Sequence, residues 1–372
     1  MILWQILAIL LTFTVVVSVH ELGHYWFARW KKMDVEEFCL LGLPAGKKFV
    51  LWQNEHGTKF TIHPFVPLGG FVKIKGMEPK SDGSETTIPN GFYAAGLGAR
   101  ALVLFAGPLF SYLGGFALFV IAYASFGRPD PSSEPVVANL AEDSPAQKAG
   151  LQAGDRILAV DGKPVKIFAE VKYIVQDKAH VPVRLTVLRG QQNIELYVTP
   201  QPSPNVMEVI DEKGGLVLDY SGKPVLRTVG LLGVEAAMTY QPIPLREAVS
   251  DAWAVSWGIV AGSVRVLMRP KELKESAAGP IAIVTETGKA ADRGFFNLIV
   301  FAAFISVSLG FVNLLPIPPF DGGQLLIVGI EALRRGRRLP LRVQENIFKL
   351  GFAVILLMFV SVMWLDIGRL FR

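Results

Sequence analysis

His20-Glu21-Leu22-Gly23-His24 lies near the end of an otherwise apolar run from Ile2 to Phe27. Two histidines four apart stand on one face of a helix, close enough to share a metal ion, and Glu21 beside them can reach a water attacking there. This is the H-E-x-x-H pattern of zinc hydrolases. Its setting is unusual, because a charge at the centre of a membrane-length apolar segment costs about 2.5–3.5 kcal/mol and is functional by default. The stretch implies a zinc protease whose active site lies within the bilayer.

Composition agrees with a membrane protein carrying soluble parts. Hydrophobic residues make up 51% of the 372 residues and charged ones still 19%, with a mean hydropathy of +0.40. The formal charge of +5 comes from basic residues beside apolar runs, as the positive-inside bias produces, and no basic stripe interleaved with aromatics points to nucleic acid. The single cysteine, Cys39, excludes an intrachain disulfide and reads as a small buried apolar residue.

The first run lacks a basic n-region and a small-residue cleavage site, so it is expected to stay in the protein as a span. Arg29, Lys31 and Lys32 follow it, which puts that end in the cytoplasm and the histidines roughly 8 to 13 Å inside the cytoplasmic face at about 1.5 Å per residue. Alternation over Phe60 to Phe65 and Phe71 to Lys75 suggests a short hairpin or edge strands, near enough to the catalytic helix to pair with an extended peptide. Asp82 to Asn90 reads as flexible loop, and Gly107-Pro108, Gly114 and Gly115 give the second span a small-residue face for helix packing.

Beyond a Pro-rich stretch, residues 136–200 alternate as strands, and Ser144 to Val165 resembles a PDZ domain, with a short helix, a Gly-Asp turn, a strand and an Asp-Gly turn. Such domains bind peptide ends by strand addition. Leu245 to Met268 has helical apolar spacing interrupted by Asp251 and Arg265, too soon for a comfortable span, and is expected to lie as an amphipathic helix near the outer membrane surface. With that choice the third span runs inward and brings Asn313-Leu-Leu-Pro-Ile-Pro-Pro-Phe-Asp-Gly-Gly323 to the depth of the histidines.

Catalytic zinc takes three protein ligands and an open position for water. His20 and His24 supply two. His63 could approach, but Asp321 is better placed, since Gly322 and Gly323 permit a close, bent backbone and the prolines at 316, 318 and 319 prevent a regular helix. Irregular backbone at membrane depth is tolerated where protein or a water-filled cavity surrounds it. Glu21 is then the base toward the attacking water, and Asn313 holds substrate backbone or the developing oxyanion, or alternatively makes a helix-packing hydrogen bond.

Taken together, these motifs resemble the site-2 protease family of intramembrane zinc metalloproteases, in its bacterial regulator-of-sigma-E form. The resemblance rests on His20 to His24, the strands around Phe60 to Lys75, Gly107-Pro108, the PDZ-like region, Ala278-Gly279-Pro280-Ile281, and Asn313 to Gly323. It implies one zinc ion on His20, His24 and Asp321, Glu21 as catalytic acid and base, and Asn313, Pro316 and Pro318 against the unwound substrate. Gly70, Phe71, Val72 and Lys73 would line the capturing strand edge. Implied partners are single-span membrane proteins of anti-sigma-factor type already trimmed by another protease, signal-peptide remnants, peptide ends at the PDZ domain, and the lipid bilayer, with no nucleic acid. The chain departs from the family in having one PDZ domain rather than two, Ser111 in place of asparagine and Phe320 in place of leucine; neither substitution is expected to touch a ligand.

The expected architecture is a polytopic α-helical membrane protein with four transmembrane helices, a cytoplasmic membrane-associated β-hairpin and an inserted periplasmic PDZ-like α+β domain. In order, these are spans at 1–28 and 97–124 separated by a cytoplasmic segment 29–96, the PDZ domain 128–202, a connector 203–244, and the amphipathic periplasmic helix 245–269. A third span 297–323, a cytoplasmic basic loop 324–346 and a fourth span 347–366 follow. The location implied is a bacterial inner membrane, with both termini periplasmic and the active site toward the cytoplasmic half. A contrasting reading is a non-catalytic scaffold that presents the PDZ domain to envelope proteins.

Overall fold

The structure is a computed structural model and describes residues 2–44, 47–64, 69–80, 82–130, 134–203, 207–218, 225–268 and 279–370. It comprises two compact units, Met1–Ser125 with Pro244–Arg372, and Phe126–Ile243.

The first unit is built on helices α1 (Ile2–Trp30), α2 (Leu97–Phe126), α3 (Leu245–Leu267), α4 (Pro280–Asp292), α5 (Phe295–Asn313), α6 (Asp321–Leu333) and α7 (Leu341–Leu370). Four of them, α1, α2, α5 and α7, are long and apolar enough to cross a membrane. Their outward faces carry residues that a helix in water would bury, such as Leu3, Leu7 and Leu11 on α1 and Leu357, Phe359 and Trp364 on α7. The inward face of α1 repeats every fourth residue, with Ala8, Thr12, Val16, His20, His24 and Ala28 all buried. The metal-ligand pair thus belongs to the packing stripe itself.

Glycines set how closely these helices approach. A Cβ on Gly23 would overlap the Ala106 carbonyl of α2, and one on Gly115 would meet Val307 of α5. Helix α3 ends at Leu267 and buries Ala248, Ala252 and Ser256, with Ala252 packed among Phe119, Ala303 and Val307. One face of α3 is therefore part of the helical body, while Leu245 and Trp257 remain exposed.

Four features of this unit differ from the expected layout. The third span stops at Asn313, and Asp321 begins a separate helix, so residues 324–333 are helical rather than loop. The prolines at 316, 318 and 319 enforce the break. Helix α4 was not foreseen: it lies on the start of α1, where Trp4 Nε1 donates to the Ala291 carbonyl (3.3 Å) and Gln5 Nε2 to Asp292 (2.6 Å). Its first turn is capped from α7, with the N–H groups of Gly279 and Ala282 donating to Asp366 (3.2 and 3.0 Å). Ala278 of the Gly-Pro element lies outside the described residues.

The hairpin expectation is corrected by a four-stranded sheet in the order β2-β3-β1-β4, made of β1 (Val35–Leu41), β2 (Phe49–Gln53), β3 (Lys59–Ile62) and β4 (Phe71–Ile74). The two segments read as hairpin partners do not pair; β1 lies between them, parallel to β3 and antiparallel to β4. Phe65 falls outside the described residues. Strand β1 carries a buried carboxylate, Glu37, which accepts from Lys48 (2.6 Å), Thr61 (2.7 Å) and the His63 ring (3.0 Å). Burial alone would raise its pKa, but these partners outweigh burial and hold it at about 2. Cys39 beside it is fully buried, as expected.

Asp82 to Asn90 is not simply flexible loop among the described residues: Ser84–Thr87 forms a 3-10 turn whose Glu85 is buried.

The second unit contains the elements read as PDZ-like: a short helix Pro145–Lys148 capped by Ser144, strand Arg156–Val160, helix Phe168–Val175, and strands Val183–Arg189 and Gln192–Val198. Ile157, Val160, Leu185 and Val187 fill its core. The connector is not separate from it, since Val234–Ala236 pairs with Val137–Leu140.

Candidate metal centre

Three side chains converge where α1, α2 and the start of α6 meet. His20 Nε2 and His24 Nε2 are 3.2 Å apart, and Asp321 Oδ2 lies 3.2 and 3.4 Å from them. Among the described residues this is the one group of three or more such side chains able to share an ion. The irregular segment 314–320 folds back on the start of α6, and this is possible because Gly322 and Gly323 have no side chain to strike the carbonyl of Leu314 or the backbone of Pro318. Asp321 is thereby delivered as the first residue of α6.

The donor set fits a zinc ion. His24 Nδ1 is 2.8 Å from the Val103 carbonyl, which can only accept, so Nδ1 carries the proton and Nε2 keeps its lone pair. His20 Nδ1 is likewise engaged by Ser111 Oγ at 2.9 Å. Asp321 Oδ2 is buried with no hydrogen-bond donor. Three lone pairs held this close repel one another unless a cation draws them together. Ligands about 2.0–2.1 Å from a tetrahedral zinc stand about 3.3 Å apart, the spacing found here.

Glu21 is adjacent and faces the sheet. The backbone N–H of Val72 faces its carboxylate, and a Cβ on Gly70 would lie 3.8 Å from its Cγ. Of the other two proposed edge residues, Phe71 packs edge-on against His63 at 5.4 Å and Lys73 pairs with Glu36 at 3.5 Å. His63 is held by Glu37 and is no ligand. Asn313 donates from Nδ2 to the Leu309 carbonyl of its own helix (3.0 Å), Pro316 is exposed and Pro318 is buried.

Two contributors were not foreseen as parts of the site. Gly107, read only as a packing residue, sits against both imidazoles, where a Cβ would collide with Nε2 of each. Ser111 corrects the expectation that it touches no ligand, since it orients His20. Their spacing of four on α2, matching that of the histidines on α1, is the sequence signal that could have found them. Ser111→Ala leaves the His20 Nδ1–H buried without an acceptor. It is expected to weaken zinc binding about 10–100-fold, as loss of such an orienting partner does. Competition with a chelator measures it, and unchanged affinity would refute the role.

The fold and site define a metal-dependent hydrolase built into membrane-length helices. Residues 8–358 match the family model described as peptidase family M50. A Rhizobium meliloti chain bearing the name zinc metalloprotease is 35% identical over 370 residues, covering 96% of this chain and 95% of its own. A Mesorhizobium japonicum chain of similar name is 34% identical over 385 residues, covering 99% of each, and one from Campylobacter jejuni is 30% identical, covering 98% and 94%. The chain belongs to peptidase family M50, and is a zinc metallopeptidase of the site-2 protease type. Among solved structures, the PDZ domain of an SdrC-like protein from Listeria monocytogenes is 20% identical, covers 27% of this chain and 85% of its own, and has a TM-score of 0.19. Its Listeria innocua counterpart is 26% identical, covers 25% and 93%, and has a TM-score of 0.17.

Proposed function

We propose that His20, His24 and Asp321 hold the zinc, that Glu21 is the catalytic acid and base, and that the substrate is a transmembrane segment captured as an extra strand on β4. The observation that carries this reading is the Val72 N–H facing Glu21 on β4, an edge strand of the sheet. A helix hides its amides in its own hydrogen bonds, so an intramembrane substrate must unwind before a peptide bond can be attacked. A strand edge beside the catalytic carboxylate stabilises that unwound form by pairing its backbone.

Bound zinc supplies a Lewis acid for the scissile carbonyl and makes water a nucleophile near neutral pH. Glu21 takes the proton of the attacking water and passes it to the leaving amide nitrogen. The Val72 amide faces the Glu21 carboxylate from the sheet, opposite the metal centre. Asn313 and the exposed Pro316 contact the unwound segment from the stretch that leads to Asp321, while Pro318, implied with them by the resemblance, is buried against Gly323 and Gly351 and supports that stretch. Three protein ligands among the described residues leave a position for water, the pattern of catalytic rather than structural zinc, which weighs against the scaffold reading.

In this reading the protein sits in a bacterial inner membrane, with termini and PDZ-like unit outside and metal centre toward the cytoplasm. Its substrates are single-span proteins of anti-sigma-factor type and signal-peptide remnants, and the PDZ-like unit takes peptide ends. A substrate series with single backbone N-methyl groups tests the strand pairing. Cleavage is expected to drop at alternate positions, because successive amides of a strand point to opposite edges. Uniform cleavage, or loss without a period of two, would sink the proposal.

A further inference from the structure

The metal ligands come from two helices, α1 and α6, and the glycine contacts at the start of α6 tie it only to its own preceding loop. Val328 of α6 packs near Val103 and Leu104 of α2, but apolar contacts are non-directional and tolerate sliding. Among the described residues, one directional link lies lower down. Arg100 Nη2 of α2 donates to Glu331 Oε2 of α6 at 2.5 Å, with Arg100 5% and Glu331 0% exposed.

Arg100 lies seven residues before Gly107, about 10 Å along α2, and Glu331 ten residues after Asp321, about 15 Å along α6. The pair ties α6 to α2, and α2 in turn packs on the histidines of α1 through Gly107 and Ser111, so the pair and the metal centre hold α6 at separated points. Arg338, just beyond α6, donates to the buried Glu85 at 2.5 Å, its Nε is 4.0 Å from Glu331 Oε1, and the Tyr93 ring lies under both guanidiniums at 5.2 and 4.0 Å. Desolvating such charges costs about as much as their attraction returns, so their value lies in specifying geometry. A slip of α6 by one turn, about 5.4 Å, would part the buried Glu331 from Arg100 and carry Asp321 out of reach of the histidines.

We infer that Arg100 and Glu331 are positioning residues that lock α6 in register with α2 and so fix Asp321 at the metal centre. The inference rests on Asp321 being a ligand. Zinc release from the purified full-length protein into excess chelator, followed with a fluorescent indicator, tests it without reference to activity. Asp321→Asn, Glu331→Gln and the double variant Arg100→Met with Glu331→Met are compared with wild type. The double variant keeps the side-chain volume and leaves no unpaired charge, so its helix content and thermal transition should stay near wild type, as a purely structural role would predict for its zinc as well.

Both Glu331 variants are expected to release zinc about tenfold faster, the lower end of the effect of losing a supporting partner. Wild-type release from either variant that remains helical and monodisperse would overturn the inference. Loss of helical structure in both would make the pair a folding element and overturn it equally. Wild-type release from Asp321→Asn would instead show that the ligand assignment itself has failed.

Discussion

Glu21→Gln is expected to lower turnover of a cleavable transmembrane substrate by about 10³–10⁴-fold, the upper part of the range for a general base, while the protein keeps a full complement of zinc. The amide side chain preserves volume and keeps an oxygen that can face the Val72 N–H. It cannot take a proton from water. None of the three metal ligands is altered, so bound metal measured on the purified variant separates lost chemistry from lost zinc. A wild-type protein that binds zinc yet cleaves no single-span substrate, from a panel rich in helix-breaking residues, would favour the scaffold reading.

Gly107→Ala is expected to abolish zinc binding, although the change is a single methyl group on a helix that favours alanine. In an ordinary helix the substitution stabilises by up to about 1 kcal/mol. Here the new Cβ would occupy the space of His24 Nε2 and crowd His20 Nε2. The rings cannot retreat, because their Nδ1 atoms are held by the Val103 carbonyl and Ser111. The measurable outcome is a purified protein of normal helix content with no stoichiometric zinc; retention of tightly bound zinc would show that α2 lies farther from the metal than described.

The spans and both catalytic motifs were legible because each is local: apolar length, a four-residue histidine spacing, and an Asp-Gly-Gly after a proline cluster. Strand β1 was not, and the reason is Glu37. Its carboxylate points inward toward Lys48, Thr61 and His63, so the alternation that marks a half-buried strand is broken by the residue that ties the sheet together. The stretch around Glu85 misled similarly, since a charge in a polar segment reads as solvated until Arg338, far away in sequence, is brought to it. Gly107 and Ser111 were visible as small residues, but their contact with the histidines exists only through space.

The separation of the ligands along the chain has a consequence for biosynthesis. His20 and His24 enter the membrane with the first helix, while Asp321 and the helix that presents it are made only after almost all the rest. At about 5–20 residues per second, roughly 15–60 s separate the two. Throughout that interval the nascent chain carries half a metal site beside an open strand edge and has no means of cutting its neighbours; the peptidase becomes competent only when its own membrane insertion is almost finished.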